Sequence, residues 1–160
     1  MKILILIRHA TAEADTFLKD DFERELDPSG VFEAEKLGDF IKLKGVLPQS
    51  IFSSPAKRTV ETAKISASKY KFCSDRIMQN MKLYNAGFQK LMEEVAKAES
   101  AISVLAVVAH NPGISQMATA LVKSGNYQLS PSSAISLKFN IKNWSELKAG
   151  TGTENWYYYP

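Results

Sequence analysis

His9 and His110 are the only two histidines in the 160 residues, and each stands directly behind an apolar run. His9 follows Ile3-Leu4-Ile5-Leu6-Ile7-Arg8, and His110 follows Val104-Leu105-Ala106-Val107-Val108-Ala109. Imidazole is the side chain best matched to nucleophilic and proton-transfer work near neutral pH. Short β-branched runs of this kind read as buried parallel strands, whose C-terminal ends border the binding crevice of an open α/β sheet. The pattern predicts two imidazoles delivered to one crevice.

Three segments carry the candidate chemistry. In Arg8-His9-Ala10-Thr11, two cationic or hydrogen-bonding groups share one strand end and would repel unless an anion or carboxylate joined them. In Ser54-Pro55-Ala56-Lys57-Arg58-Thr59-Val60-Glu61-Thr62-Ala63, Arg58 falls in the first turn of a helix, where the dipole tolerates cations poorly. A bound anion would remove that conflict. In Ala109-His110-Asn111-Pro112-Gly113, His110 stands beside a helix N-terminus, whose free N–H groups suit an anion. Taken singly, each segment has a plainer reading. His9 could be a half-buried polar residue satisfied by backbone. Lys57 and Arg58 could begin a solvated helix face with Glu61 as ion-pair partner, and Asn-Pro-Gly could simply be a turn.

The elements that must position these residues alternate strand and helix, the signature of an α/β protein with a mainly parallel sheet. Strands are expected at residues 2–8, 49–53, 103–108 and 134–140, with a weak candidate at 72–78 and a last one at Trp156–Tyr159 beyond Gly150-Thr151-Gly152. Residues 10–25 are rich in charge and lack periodicity, predicting a long loop with at most a short helix; long loops in compact domains are often functional. Asp27-Pro28 reads as an N-cap with proline in the first helical position. Val31, Ala34, Leu37, Phe40 and Ile41 carry that helix to a stop at Gly45. Further helices are expected through Val60–Ala67, Phe88–Val95 and, opened by Pro112-Gly113, Ile114–Val122. The aromatic C-terminus reads as an edge strand packed on the core.

With 160 residues and 45% hydrophobic composition, the chain suits one domain, residues 1–160. Its net charge is +3, from 20 basic and 17 acidic residues without a basic block, which argues against a nucleic-acid partner. Cys73 is the single cysteine, so an intramolecular disulfide and a Cys-rich metal site are both excluded; a buried structural thiol is expected. The apolar stretch behind Lys2 lasts only five residues, too short for an export signal or a membrane span. A soluble, cytoplasmic protein without a membrane partner is the expectation.

Together the three segments resemble the histidine phosphatase superfamily, the phosphoglycerate-mutase-like proteins. Arg8-His9-Ala10 resembles that family's Arg-His-Gly after the first strand. Arg58 matches the second arginine, early in the helix behind a serine-bearing strand end, and Val108-Ala109-His110 matches the second histidine. The order and strand context span essentially the whole chain. The short length, Arg24-Glu25-Leu26-Asp27-Pro28-Ser29-Gly30, and Trp144-Ser145-Glu146-Leu147 before a glycine-rich turn resemble the SixA-type phosphohistidine phosphatase branch.

The resemblance implies a three-layer α/β/α fold and an enzyme whose substrate is a phosphorylated protein or a small phosphorylated molecule. It implies His9 as a nucleophile forming a covalent phosphohistidine, with Arg8 and Arg58 clamping the phosphoryl oxygens. His110 and the backbone N–H of Asn111 would bind the same group, and Arg24 is a further phosphate or phosphopeptide contact. No metal and no cofactor is called for. The alternatives are a small-molecule phosphomonoesterase or mutase, and a phosphate- or phosphoprotein-binding module without turnover.

Two departures matter. The motif glycine is Ala10, so the pocket is expected to need a small side chain rather than a special dihedral. Mutase-like relatives place a glutamate after a leucine where this chain reads Leu83-Tyr84-Asn85-Ala86, and phytase-like relatives place aspartate where Asn111 stands. An alkoxide leaving group needs a proton and an imidazole needs less help, so the missing acid favours phosphohistidine. Acids within 13–25 remain substitutes.

Overall fold

The computed structural model describes residues 1–16 and 19–160. Its strands are β1 (Lys2–Arg8), β2 (Ser50–Ser53), β3 (Ile77–Gln79), β4 (Val104–Ala109), β5 (Ala134–Phe139) and β6 (Thr153–Tyr158). Its helices are α1 (Pro28–Lys44), α2 (Lys57–Ser68), α3 (Phe88–Val95) and α4 (Gly113–Leu121). The strands form one sheet in the order β3-β2-β4-β1-β5-β6. Pairings among β3, β2, β4 and β1 are parallel, whereas β5 and β6 add antiparallel at the far edge.

The period of two along β1 builds both halves of the core. Leu4 and Leu6, with Leu105 and Val107 of β4, face a cluster that includes Leu91 of α3 and Met117 of α4. Ile5 and Ile7, with Ala106 and Val108, face Leu37 and Ile41 of α1 and Ala63 of α2. Helices thus cover both faces, completing the three layers. That explains why β1 from Ile3 to Ile7 and β4 along its whole length are apolar rather than alternating. Each such large side chain taken from water contributes up to roughly 1.5–3 kcal/mol.

Helix α1 begins and ends as its sequence predicts. Asp27 accepts a hydrogen bond from the Gly30 amide at 2.7 Å with Pro28 behind it, and Gly45 closes the helix at φ 68°. At the sheet's far edge, Trp156 is buried and Phe40 packs on it and on Tyr158, so the C-terminal aromatics are core-packed, except for exposed Tyr159.

Two expectations need correction. The weak strand at 72–78 is shorter and later: Ser74–Arg76 forms a 3₁₀ turn, and only Ile77–Gln79 pairs with β2. Serine and aspartate there favour local turn hydrogen bonds over a ladder. Cys73 precedes that turn and is exposed rather than buried. The loop 10–25 holds one 3₁₀ turn, Asp21–Glu23, and a bridge from Ala12 to Leu26; its residues 17 and 18 lie outside the described residues.

Candidate active site

Strand register assembles the site. Arg8 lies opposite Ala109 in the parallel β1–β4 ladder, so His9 and His110 leave adjacent strands at the same level. The His9 amide donates to the Ala109 carbonyl at 3.2 Å, and the two rings lie 5.3 Å apart between centroids. On the other side of β4, the Ser54 amide donates to Val108 at 3.0 Å, bringing the start of α2 and Arg58 to the same edge. Four candidate residues from three distant segments therefore meet where parallel strands end.

Hydrogen bonding defines the tautomer of each histidine. His9 Nδ1 lies 2.8 Å from the Ala10 carbonyl, which only accepts, so Nδ1 carries the proton and Nε2 keeps its lone pair. Arg58 Nε points at that Nε2 from 3.4 Å. Arg58 Nη2 donates to His110 Nδ1 at 3.3 Å. Guanidinium only donates, so His110 holds its hydrogen on Nε2, which bonds the buried Ser54 Oγ at 2.8 Å.

Both rings stay neutral across the physiological range. Burial lowers His9 to about 4, with Arg58, Arg8 and Arg24 adding like-charge opposition against a raising contribution from the Ala10 carbonyl. Burial also leads for His110, lowered to about 3, with His9, Arg58 and Arg8 assisting. The like-charge effect of the arginines is present, but desolvation outweighs it.

The remaining candidates are near but partly committed. Arg8 donates from Nη1 to the Leu129 carbonyl at 2.9 Å, and its Nε is buried with no partner among the described residues. Asn111 Nδ2 bonds the same carbonyl at 2.9 Å while its Oδ1 accepts from Ser115 Oγ at 2.6 Å. The Asn111 side chain thus braces the 129 segment, leaving its backbone as the part available to an anion. Arg24 donates to the Glu13 carbonyl and, from Nη1, to Asp21 Oδ1 at 2.8 Å. Ala10 is fully buried, donates its amide to Thr62 Oγ1 at 3.0 Å and is not among the positive-φ residues, so smallness is what the position requires.

Asp21 and Tyr84 join the site without having been singled out by the sequence. Asp21 Oδ2 accepts from Arg58 Nη2 and from the Tyr84 hydroxyl, each at 2.8 Å, and its backbone carbonyl accepts from Arg58 Nη1. Partial burial would raise this carboxyl, but the bonds from Tyr84, Arg58 and Arg24 dominate and hold it far below the usual carboxylate range. Tyr84 also sets its ring edge-on to His110 at 5.5 Å and to Phe22 at 5.2 Å. Among the described residues, no three His, Cys, Asp or Glu side chains gather in a way that could hold a metal ion. Among the described residues, no helix is long and apolar enough to cross a membrane.

The architecture is that of an α/β protein with the phosphoglycerate-mutase-like fold, its histidines and arginines gathered where the parallel strands end. The description "Histidine phosphatase superfamily (branch 1)" matches residues 4–82, so this part of the chain is similar to that superfamily. The fold is similar to the SixA protein of Agrobacterium tumefaciens, with TM-score 0.83 and 21% identity over 99% of this chain and 98% of that one. It is also similar to a protein histidine phosphatase SixA complexed with tungstate, with TM-score 0.76 and 19% identity over 97% and 95% of the two chains. An uncharacterized chloroplastic protein of Arabidopsis thaliana is 28% identical over 96% of this chain and 73% of its own length.

Proposed function

We propose that the chain is a phosphatase that removes phosphoryl groups from protein phosphohistidine through a covalent intermediate on His9, with residues 1–160 acting as one domain. The observation that carries this reading is the orientation of His9. A neutral ring with its proton tied to Ala10 presents its Nε2 lone pair beside the Arg58 guanidinium. The lone pair attacks phosphorus, the bond to the leaving group breaks, and water then cleaves the P–Nε2 bond. Arg8 and Arg58 neutralise the phosphoryl oxygens, with His110 and the Asn111 amide beside them. No step requires a metal or cofactor, and the cytoplasm is the expected location. Two features favour phosphohistidine over phosphate esters: Tyr84 follows Leu83 where the resemblance puts a glutamate in mutase-like relatives, and the nearby Asp21 is held ionised by its partners. Neither readily supplies the proton that an alkoxide needs. The tungstate held by the SixA structure supports an oxyanion seat in this fold.

Purified protein assayed against a phosphohistidine-bearing protein and a panel of serine, sugar and glycerate phosphates tests the proposal. Phosphohistidine should turn over at least ~10²-fold faster, the usual worth of a general acid that the esters would lack. Faster turnover of the esters would assign the chain to small-molecule phosphomonoesters instead.

A further inference from the structure

Arg58 spans the site. Its Nε faces the His9 lone pair, while its two terminal nitrogens meet Asp21, one at the carboxylate and one at the backbone carbonyl. A phosphoryl group seated on this guanidinium for in-line attack by His9 expels its leaving group on the side away from His9. Asp21 stands at the terminal nitrogens of that guanidinium, while His9 meets its Nε. The carboxylate is fixed there by three side chains, Arg58, Arg24 and Tyr84, and by the packing of neighbouring Phe22 on Tyr84. Its side chain remains 35% exposed, so it can reach an incoming group.

We propose that Asp21 is a specificity-determining residue, its carboxylate accepting a hydrogen bond from the distal ring N–H of a phosphohistidine leaving group and so favouring P–N over P–O cleavage. The inference rests on the phosphohistidine reading and names the residue that selects the bond. Protonation of the substrate ring from solvent places a hydrogen on the nitrogen not bonded to phosphorus, and an anion at that position stabilises the resulting imidazolium. His9 Nε2 then forms its bond to phosphorus as the substrate P–N bond breaks. The bonding pair passes to the leaving nitrogen, and the ring departs as neutral imidazole with its distal proton retained. An ester reverses the electrostatics, because negative charge grows on the departing oxygen beside a carboxylate that has no proton to give.

The test is Asp21→Asn, assayed on a phosphohistidine-bearing protein and on an aryl phosphate. With one charge-assisted hydrogen bond lost, kcat/KM on phosphohistidine should fall ~10- to 100-fold. On the aryl phosphate it should rise, so the ratio of the two collapses. Should that variant not fold, Asp21→Ser gives the same readout. Tyr84→Phe, which keeps the carboxylate, should hold the ratio within about threefold, against the 10- to 100-fold expected above. An unchanged ratio in Asp21→Asn, with both activities falling or rising together, overturns the inference and reduces Asp21 to a brace or a competitor for Arg58. Collapse of the ratio in Tyr84→Phe overturns it in favour of the tyrosine. Wild-type protein that cleaves the aryl phosphate but not phosphohistidine defeats the functional reading itself, a distinct result.

Discussion

Lowering the pH from 8 to 5 should destabilise this protein through its two histidines, and by an amount that follows from their surroundings. Both folded-state values lie below the ordinary imidazole value, His9 at about 4 and His110 at about 3. The stability they supply is therefore fully present above pH 6.5 and lost as the pH falls, because the unfolded chain takes up protons that the folded one refuses. At pH 5 each unfolded imidazole is almost fully protonated while both folded rings remain neutral, so their mutual coupling does not enter. Each ring then costs roughly 2 kcal/mol and the pair roughly 4 kcal/mol relative to pH 8. That is a large share of the 5–15 kcal/mol typical of a domain. Carboxylates held low by their partners, Asp21 above all, lose their contribution only below this window. Urea denaturation at several pH values would measure the slope, and His9→Gln should halve it. A loss below ~1 kcal/mol for the wild type, with the imidazoles titrating near their ordinary value, would refute the reasoning.

Other substitutions test the site's construction. Arg58→Lys keeps the charge but removes the fork that meets His9, His110 and Asp21 together, and should lower kcat/KM ~10²-fold in steady-state assays. Ser54→Ala leaves the buried His110 Nε2–H without its acceptor and should cost ~1–3 kcal/mol in denaturant titrations. Gly113→Ala would set a methyl carbon 1.9 Å from the Ala86 carbonyl oxygen, forcing the start of α4 away from the segment that carries Tyr84. A loss of ~1–3 kcal/mol by thermal melting is expected.

Much of the site was legible because its anchors are local. The runs Ile3–Ile7 and Val104–Ala109 announce buried strands, and the pairing of Arg8 with Ala109 turns two separate strand-end histidines into neighbours. Asp27 and Gly45 mark helix ends by side-chain and backbone chemistry that acts within a few residues. Asp21 was not legible. It is one acid among Glu13, Asp15, Asp20, Glu23 and Glu25 in a loop without periodicity, and its selection depends on tertiary contacts with Arg58 and Tyr84. Tyr84 was visible only as a missing glutamate, and its hydroxyl's partner comes from 63 positions away. Ser54 lay inside a recognised segment, yet its bond to His110 depends on how β2 and β4 pair. Cys73 was misjudged because a thiol's hydrophobicity says little at the exposed start of a 3₁₀ turn.

The most direct measurement is rapid acid-free quenching of the protein with radiolabelled phosphohistidine substrate, followed by peptide mapping. The covalent mechanism predicts an acid-labile, base-stable phosphoryl group on His9 that disappears in His9→Ala. Turnover without label at His9, or label retained in that variant, would contradict it.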